Sequence, residues 1–348
     1  MLMDNKAPAY HSPGEEFPPA VAKKRRLLAK VLAIGAALCL VVVGVLAFKI
    51  GVTFSVVSER VGSFLGITPS ELPLADPAEQ NRVDVLLLGI RGEGDPYGGL
   101  LTDMLLLVSV KTDTGEVALI SIPRDIWIEI PLVNREAKIN EAYQIGEQIE
   151  QRGGGLFLAK RAVEKVVGVN IDYAASIDFR AFQDFIDDVL GGIEFDVAKP
   201  LHETQQWGGI DFYVPAGRQA MDGETALYYV RSRFTTSDFD RARRQQEVLL
   251  AMSNKAKNLG ILQNPARALS LLDLFGRHVR IDATAEDIVE GIKTARQIGD
   301  TITQRLVLDT ASGLLYSSTI QGSYVLLPQN GDFSPIQDRV RNIFIPSL

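Results

Sequence analysis

Cysteine and histidine are both scarce in this chain of 348 residues. The single cysteine, Cys39, excludes an internal disulfide framework and a cysteine-based metal site. The three histidines, His11, His202 and His278, are scattered along the chain, and none pairs with another at the spacing of metal ligands. We therefore expect any metal ion to be held by oxygen ligands.

An excess of positive charge is lacking as well. The net charge of −7 argues against a nucleic-acid-binding protein that relies on bulk electrostatic attraction, so we expect no nucleic-acid partner. With 46% hydrophobic residues, a chain of this length can bury one sizeable core with a small appendage.

The N-terminal part has the pattern of a membrane anchor. Residues 1–22 are polar and rich in proline, which is typical of a disordered tail, and a basic run at 23–26 follows. The apolar run from Val31 to Phe48 is long enough to cross a bilayer, and no good signal-peptide cleavage site follows it. The sequence therefore predicts a cytoplasmic disordered tail over 1–26, a transmembrane signal anchor over 27–52 and a connector over 53–82. Because basic flanks stay in the cytoplasm, we expect a single-pass protein of the cell membrane with residues 83–348 outside.

The domain predicted over 83–348 opens with strands. Val83–Gly89 is a near-continuous apolar run, which is typical of a strand buried on both faces. The apolar runs Met104–Val110 and Glu116–Ile122 flank a short turn that contains glycine, and they predict a hairpin in the same sheet.

Helices and strands alternate in the rest of the chain. The expected helices cover Leu156–Val167, the apolar stripe from Phe182 to Leu190 that ends at Gly191 and Gly192, and a segment from the capping sequence at Thr284–Asp287 to Ile298. The further expected strands are Val169–Ile177, Arg305–Leu308 and Tyr324–Leu327. The pattern predicts an α/β domain in which helices flank a mixed central sheet, preceded by one transmembrane helix.

The segment from Asp222 to Val248 concentrates arginine. It carries five arginines and five carboxylates but no lysine, which favours planar, bidentate recognition of an oxyanion. An extended Arg231-Ser232-Arg233 would direct two guanidinium groups to one side. A helix capped by Asp238 and beginning near Phe239 would bring Arg241, Arg244 and Gln245 onto one face, with Arg243 directed elsewhere. The alternative is a solvated helix whose arginines form ordinary salt bridges with its own acids.

Charged residues also stand at the ends of predicted strands, where open α/β sheets usually bind ligands. Asp103 directly precedes one buried strand, and Arg124 and Asp125 follow another. The two aspartates could hold Mg²⁺ while Arg124 binds a phosphate, and Lys138 lies within reach by sequence. The alternative is that Asp125 simply pairs with Arg124 and that Asp103 caps a turn.

Four blocks of this sequence resemble the LytR–CpsA–Psr family of cell-wall phosphotransferases. The blocks are Ser121–Asp125, Lys138–Tyr143, Ile177–Phe179 with Leu190–Ile193, and Asp222–Gln246. The resemblance covers roughly 83–248, and Tyr324–Phe344 is similar to some members as well.

The resemblance implies a membrane-anchored transferase with an outward-facing α/β domain. Such an enzyme moves a glycopolymer phosphate from a polyprenyl-pyrophosphate carrier to peptidoglycan or another cell-envelope glycan, assisted by Mg²⁺ or Mn²⁺. The implied catalytic residues are Arg124, Asp125 and Asp103, of which Asp103 is a metal ligand and Asp125 orients Arg124 or acts as a base. The implied pyrophosphate-binding residues are Arg124, Arg231, Arg233, Arg241, Gln245 and Lys138.

Two positions depart from the family pattern. Many members carry Gly-x-Asp after the first strand, whereas here Gly89 and Ile90 are followed by Arg91. Either Asp95 supplies the missing metal ligand, or the metal is held more weakly. Met104 stands where a hydroxyl residue is common. Two other functions therefore stay open, a polyprenyl-pyrophosphate pyrophosphatase and a non-catalytic module that binds lipid-linked or wall polymers.

Overall fold

The computed structural model of this protein describes residues 81–93, 95, 99–149, 154–206, 208, 210–260, 276, 278–283, 287 and 302–345. The strands, numbered in chain order, are β1 (Arg82–Ile90), β2 (Thr102–Lys111), β3 (Val117–Ile122), β4 (Trp127–Ile130), β5 (Arg135–Lys138), β6 (Tyr173–Asp178), β7 (Ile193–Val197), β8 (Leu201–Glu203), β9 (Phe212–Val214), β10 (Gly217–Met221), β11 (Val279–Ile281), β12 (Ile302–Val307), β13 (Leu315–Ile320) and β14 (Ser323–Pro328). The helices are α1 (Ala142–Ile149), α2 (Gly154–Val167), α3 (Phe179–Asp184), α4 (Gly223–Arg231), α5 (Asp238–Asn258) and α6 (Ser334–Arg341).

A mixed six-stranded sheet forms the centre of the domain, in the order β11-β6-β1-β2-β3-β12. The β1–β2 and β2–β3 pairs are antiparallel, which confirms the predicted hairpin, while β1–β6 and β3–β12 are parallel. Along β1, Val85 and Leu87 face one apolar core, and Leu86 and Leu88 face the other. A strand buried on both faces explains the continuous apolar run in the sequence.

Helices cover both faces of the central sheet. The apolar stripes of α1, α2 and α6 pack on one face, and those of α3, α4 and α5 pack on the other. Helix α5 is also tied to the sheet by a polar contact, because the buried Gln246 amide donates to Ser121 Oγ (2.9 Å) and to the Leu306 carbonyl (3.1 Å). The predicted α/β architecture, a mixed sheet flanked by helices, is confirmed.

Several predicted boundaries differ from the structure. The strand expected at Val169 begins only at Tyr173, and the strand expected over Tyr324–Leu327 lies in a separate hairpin, β13–β14, outside the central sheet. The helical stripe from Phe182 to Leu190 is split into α3 and a π-helical turn, Phe185–Leu190, which ends at Gly191 with a φ of 64°.

Two local predictions about the arginine-rich segment are wrong. Ser237, not Asp238, caps α5: its hydroxyl accepts from the Asp240 N–H, and Asp238 is the first helical residue. Arg231-Ser232-Arg233 is not extended throughout, because Arg231 is the last residue of α4, while Ser232 adopts an extended conformation.

Other predictions fall on parts of the chain that are not described. The cytoplasmic tail, the signal anchor, nearly all of the connector and, apart from Asp287, the helix expected from Thr284 to Ile298 lie outside the described residues. Within the described ranges, no helix is both long enough and apolar enough to span a bilayer.

Candidate functional site

A cavity of about 350 Å³ lies between the central sheet and the layer formed by α3, α4 and α5. Much of its wall is apolar. The apolar side chains come from separate elements and include Leu87, Met104, Phe182, Phe185, Leu249 and Met252. Arginines line the same cavity: we call Arg91, Arg124, Arg231, Arg233 and Arg241 the arginine cluster. The cavity therefore combines an apolar interior with a concentration of positive charge.

The topology explains why charged residues gather at one edge of the sheet. The end of β1 pairs with the start of β2, and the end of β6 lies beside the end of β1, where Ile90 is next to Asp178. Antiparallel pairing of β2 with β3 brings the end of β3 to this edge too. Arg91, Asp103 and Arg124 are therefore neighbours, although they are far apart in the sequence.

Arg124 is surrounded by carboxylates. Its guanidinium donates to Asp103 and, from Nε, to Asp238 Oδ2 at 3.2 Å, and Asp125 Oδ2 lies 3.6 Å from the same Nε. Burial alone lowers the pKa of Arg124, but the charges of the three aspartates outweigh it and raise the pKa above its ordinary value. Arg124 is a permanently charged residue at the centre of the site.

Asp238 links three members of the arginine cluster. Besides Arg124, it accepts from Arg233 at 3.4 Å and from Arg241 at 3.2 Å. Burial raises the pKa of Asp238, yet these arginines lower it below its ordinary value overall. A residue predicted as a helix cap therefore fixes the positions of three guanidinium groups.

Arg241 has a donor that is not used. The side chain is buried, and its Nε has no hydrogen-bond partner among the described residues. Burial, as the largest cause, lowers the pKa of Arg241 to about 10. A buried N–H without an acceptor costs about 1–3 kcal/mol, which an anionic oxygen in the cavity would recover.

Arg231 and Arg91 share one aromatic ring. The guanidinium carbon lies 4.2 Å from the Phe179 ring centre for Arg231 and 6.0 Å for Arg91. Burial first, and then the charge of Arg91, lowers the pKa of Arg231 below its ordinary value. Two like charges held together in a partly desolvated place favour the binding of an anion.

The loop that carries Arg233 is held by hydrogen bonds. Gln206 donates to the Arg231 carbonyl at 2.9 Å and accepts from the Arg233 N–H at 2.8 Å. The buried Glu203 carboxylate accepts from the Phe234 N–H at 2.9 Å. These contacts give the arginines of the α4–α5 loop a defined position before any ligand binds.

Arg244 does not belong to the arginine cluster, although the helical spacing places it on the face of Arg241. Its Nε donates to the Tyr229 carbonyl at 3.0 Å, and its Nη2 donates to the Ser232 carbonyl. Gln245 does line the cavity, as predicted, and donates to the Val230 carbonyl at 3.4 Å. Arg243 is exposed and pairs with Asp240 and Asp309, so the ordinary salt-bridge interpretation applies to that residue.

Asp125 and Lys138 form a pair beside the arginine cluster. Lys138 Nζ donates to Asp125 Oδ1 at 2.6 Å, and neither residue lines the cavity. Asp125 thus contacts both Arg124 and Lys138, with most of its surface buried. This geometry fits a carboxylate that orients Arg124, and it leaves open the role of base.

The carboxylates of Asp103 and Asp95 are suited to bind a divalent ion that a bound ligand also coordinates. Within the described part of the chain, no three Asp, Glu, His or Cys side chains are close enough to hold a metal ion by themselves. Mg²⁺, however, is commonly bound by one or two carboxylates together with substrate phosphates and water. Asp103 lines the cavity, and both Asp103 and Asp95 are near enough to Arg231 to raise its pKa against the lowering by burial.

The structure adds residues that sequence reasoning missed. Arg91 was seen only as a departure from a pattern, yet it lines the cavity, with Nε 3.5 Å from Asp103 Oδ2. The available signal was its place directly after a buried strand. Asp178 also lines the cavity, and its Oδ2 accepts a hydrogen bond from His278 Nδ1 at 2.6 Å, a pairing that no local pattern indicates.

Comparison with known proteins supports the resemblance seen in the sequence. The model of the LytR_cpsA_psr family matches residues 63–342. A probable cell wall biosynthesis protein, LcpB of Corynebacterium glutamicum, is 33% identical over 52% of this chain and 40% of its own length. The polyisoprenyl-teichoic acid–peptidoglycan teichoic acid transferase TagU of Oceanobacillus iheyensis is 31% identical over 59% of this chain and 60% of its own length. The matched region thus spans less than two thirds of either relative.

Solved structures share the fold. The crystal structure of Bacillus subtilis TagT superposes with a TM-score of 0.56 and 23% identity, covering 79% of this chain and 95% of that chain. A TagT structure bound to LIIa-WTA superposes with a TM-score of 0.58 and 24% identity over the same shares. At this level of identity the likeness establishes the architecture alone.

Proposed function

The chain belongs to the LytR–CpsA–Psr family, and on that basis we propose that it transfers a glycopolymer phosphate from a polyprenyl-pyrophosphate carrier to peptidoglycan or another cell-envelope glycan. Relatives whose names state an activity are teichoic acid transferases that act on polyisoprenyl-linked teichoic acid and peptidoglycan. The donor glycan and the acceptor of this chain are proposed only at the level of these chemical classes.

One observation carries the proposal: the buried Nε of Arg241, a member of the arginine cluster that lines the cavity, has no hydrogen-bond partner in the described part of the chain. A pyrophosphate brings several negative charges and many acceptor oxygens, and planar guanidinium groups match them in pairs. We assign pyrophosphate binding to Arg124, Arg231, Arg233, Arg241 and Gln245, with Lys138 acting at the far side of Asp125. Phosphoryl transfer depends mostly on such positioning and charge stabilisation.

The apolar part of the cavity suits the lipid of the donor. Leu87, Phe185 and Met252 belong to the same wall as the arginines, so one ligand can place an apolar tail on the former and an anionic group on the latter. Burial of apolar surface contributes about 25 cal/mol per Å², which favours a hydrocarbon chain in this space. Few soluble phosphate compounds combine an apolar tail with an anionic group.

A divalent ion, Mg²⁺ or Mn²⁺, is part of the proposal. Asp103, with Asp95 from the loop after β1, would hold it, and the ion would supply positive charge against the negative charge that develops during transfer. Arg124 and Asp125 complete the catalytic residues: Arg124 holds the phosphate, and Asp125 orients Arg124 or accepts the proton of the attacking hydroxyl.

The proposed location is the outer face of the cell membrane. The predicted anchor over 27–52 would keep the cavity near the bilayer in which a polyprenyl carrier resides, and the basic run at 23–26 would fix the N-terminus in the cytoplasm.

One contact favours a second candidate, a non-catalytic module that binds lipid-linked polymers. Arg91 pairs with Asp103, so the chain places a cation of its own beside the proposed metal ligand. An Arg91→Asp variant separates the two functions. In a weak enzyme it should raise metal-dependent turnover, whereas in a binding module it should create none.

The main test follows the release of polyprenyl phosphate from a polyprenyl-pyrophosphate glycan by the full-length protein in detergent. The reaction contains Mg²⁺, and peptidoglycan fragments are present or omitted. Release that depends on the acceptor is the expected result. Release without acceptor would instead identify a pyrophosphatase, and donor binding without any release would identify the non-catalytic module.

A further inference from the structure

The β13–β14 hairpin contacts the segment that carries the catalytic residues. Leu326 of β14 forms a parallel bridge with Ile126, and its N–H donates to the Asp125 carbonyl at 2.9 Å. Tyr324 lies two residues earlier on the same strand. The bridge therefore brings the strand of Tyr324 alongside the segment that contains Arg124 and Asp125. Burial first, and then the charges of Asp125 and Asp238, raise the pKa of the Tyr324 phenol.

Tyr324 remains accessible in this position. It is 49% exposed, and it does not line the apolar cavity. Asp125, whose backbone pairs with the strand that carries Tyr324, also contacts Arg124, and Arg124 does line the cavity. A ligand on Tyr324 would therefore approach Arg124 from outside the cavity.

The geometry of phosphoryl transfer indicates a role for the exposed surface around Tyr324. In the transition state the attacking and leaving oxygens are roughly in line on opposite sides of the phosphorus. If the lipid of the donor occupies the cavity, the leaving polyprenyl phosphate lies on the cavity side. The attacking hydroxyl must then arrive from outside the cavity, and Asp125, Lys138 and Tyr324 lie near the arginine cluster without lining the cavity.

We propose that Tyr324 forms part of the subsite for the glycan acceptor, with its ring packed against the face of an acceptor sugar. A pyranose ring has a face of C–H groups and a rim of hydroxyls, and an exposed tyrosine offers an apolar ring with a polar end. This inference rests on the proposed function, because the side of attack is deduced from a lipid donor in the cavity. Tyr324 is thus a residue that binds the acceptor, not one that binds the donor.

The same hairpin supplies a matched control. Tyr316 of β13 is 41% exposed, and it pairs with Leu327, whereas Tyr324 pairs with Thr319. Side chains alternate between the two faces of a strand, so Tyr316 and Leu327 lie on one face and Tyr324 and Thr319 on the other. Tyr316→Ala removes a tyrosine of similar exposure from the same hairpin without altering the proposed subsite.

The experiment measures, for the full-length protein in detergent, both acceptor-dependent release of polyprenyl phosphate and binding of the donor. Tyr324→Ala should raise the acceptor concentration needed for half-maximal release by roughly three- to tenfold. Donor affinity and kcat at saturating acceptor should stay at the wild-type level. Tyr324→Phe, which keeps the ring, and Tyr316→Ala should both behave like the wild type.

Three results would overturn the inference: an unchanged acceptor requirement in Tyr324→Ala, the same change in Tyr316→Ala, or a loss of donor affinity in Tyr324→Ala. If the wild type shows no acceptor-dependent release, the proposed transferase function fails, and direct titration with soluble peptidoglycan fragments decides the inference. Weaker binding to Tyr324→Ala than to Tyr316→Ala would then still support the subsite, and equal binding would reject it.

Discussion

At the scale of single residues, arginines of one segment have opposite environments. Arg231 packs on Phe179, and its pKa is lowered by burial and by Arg91. Arg243 is exposed and already neutralised by Asp240 at 3.0 Å and Asp309 at 2.9 Å. The surroundings of Arg231 lower the stability of the unliganded protein and favour the binding of an anion. The charge of Arg243 is balanced by its two aspartates without a ligand. A residue proposed to bind an anion and a surface residue therefore differ in their surroundings.

This contrast predicts different outcomes for two alanine variants. Arg231→Ala should weaken binding of a polyprenyl-pyrophosphate donor by about 10- to 100-fold, because it removes charge-assisted hydrogen bonds to the pyrophosphate. Its melting temperature should be unchanged or slightly higher, since the repulsion with Arg91 disappears. Arg243→Ala should leave the affinity unchanged. Titration of both variants with the donor checks the prediction, and unchanged affinity in a folded Arg231→Ala would remove that residue from the site.

Asp103 carries a prediction about the metal ion. Asp103→Asn keeps the size of the side chain but removes a negative oxygen ligand, so turnover at limiting Mg²⁺ should fall at least about tenfold. Part of the loss should be recovered at high Mg²⁺. Asp240→Asn, which alters an exposed carboxylate paired with Arg243, is the control. An Mg²⁺ dependence identical to that of the wild type would exclude Asp103 as a ligand.

At the scale of elements, the α4–α5 connection is stabilised by Arg244. This buried side chain donates to the carbonyls of Tyr229 and Ser232 and, at 3.3 Å, to Thr236 Oγ1, so it closes the loop that presents Arg231 and Arg233. Because Arg244 donates to acceptors on three different residues, its role is structural. That role explains why, of Arg241, Arg244 and Gln245 on one side of the helix, only Arg241 and Gln245 line the cavity.

Arg244→Ala should therefore affect stability before binding. We expect a loss of about 2–4 kcal/mol in the free energy of unfolding, because the carbonyl groups of the loop lose a buried charged donor. Denaturant titration followed by tryptophan fluorescence measures the loss, and the adjacent Arg243→Ala provides the exposed control. If Arg244→Ala kept full stability yet lost donor binding, its role would be that of a cluster member instead.

Elements with a strong local pattern were predictable from the sequence. The β1 strand and the β2–β3 hairpin follow from uninterrupted apolar runs, and α2 follows from its helical stripe. The difference between Arg241 and Arg244 did not follow, because both share a helical face and only the position of the neighbouring loop separates them. The sequence predicts Asp238 only as a helix cap, whereas in the structure it bridges three arginines, and both roles use the same residue type.

At the scale of the whole molecule, the site depends on contacts that no local pattern contains. The arginine cluster unites the end of β1, the turn after β3, the end of α4, the α4–α5 loop and the first turns of α5. The cavity wall likewise joins the central sheet to α3 and α5. Family resemblance named most of the charged residues in advance, but the apolar interior next to them became visible only with the fold.

The limited size of the cavity leads to a final prediction about the lipid. A space of about 350 Å³ is at the small end of ligand pockets, so it encloses only the pyrophosphate-proximal part of a long polyprenyl chain. Each isoprene unit that the cavity buries should raise the affinity steeply, because each buried methylene contributes about 0.8 kcal/mol. Units that extend beyond the cavity should add no further affinity. Donor analogues of increasing chain length, titrated against the full-length protein, should therefore show a plateau.

A variant that narrows the cavity tests this interpretation directly. Leu249 lines the cavity wall, so Leu249→Trp should move the plateau to a shorter chain while the pyrophosphate contacts persist. The affinity of an analogue without a lipid tail should be the same in both proteins, since it depends on the arginine cluster alone. An affinity that keeps rising with chain length, or that is independent of chain length, would show that the lipid binds elsewhere. In that case the acceptor side deduced for Tyr324 would lose its basis, because the direction of attack follows from where the lipid lies.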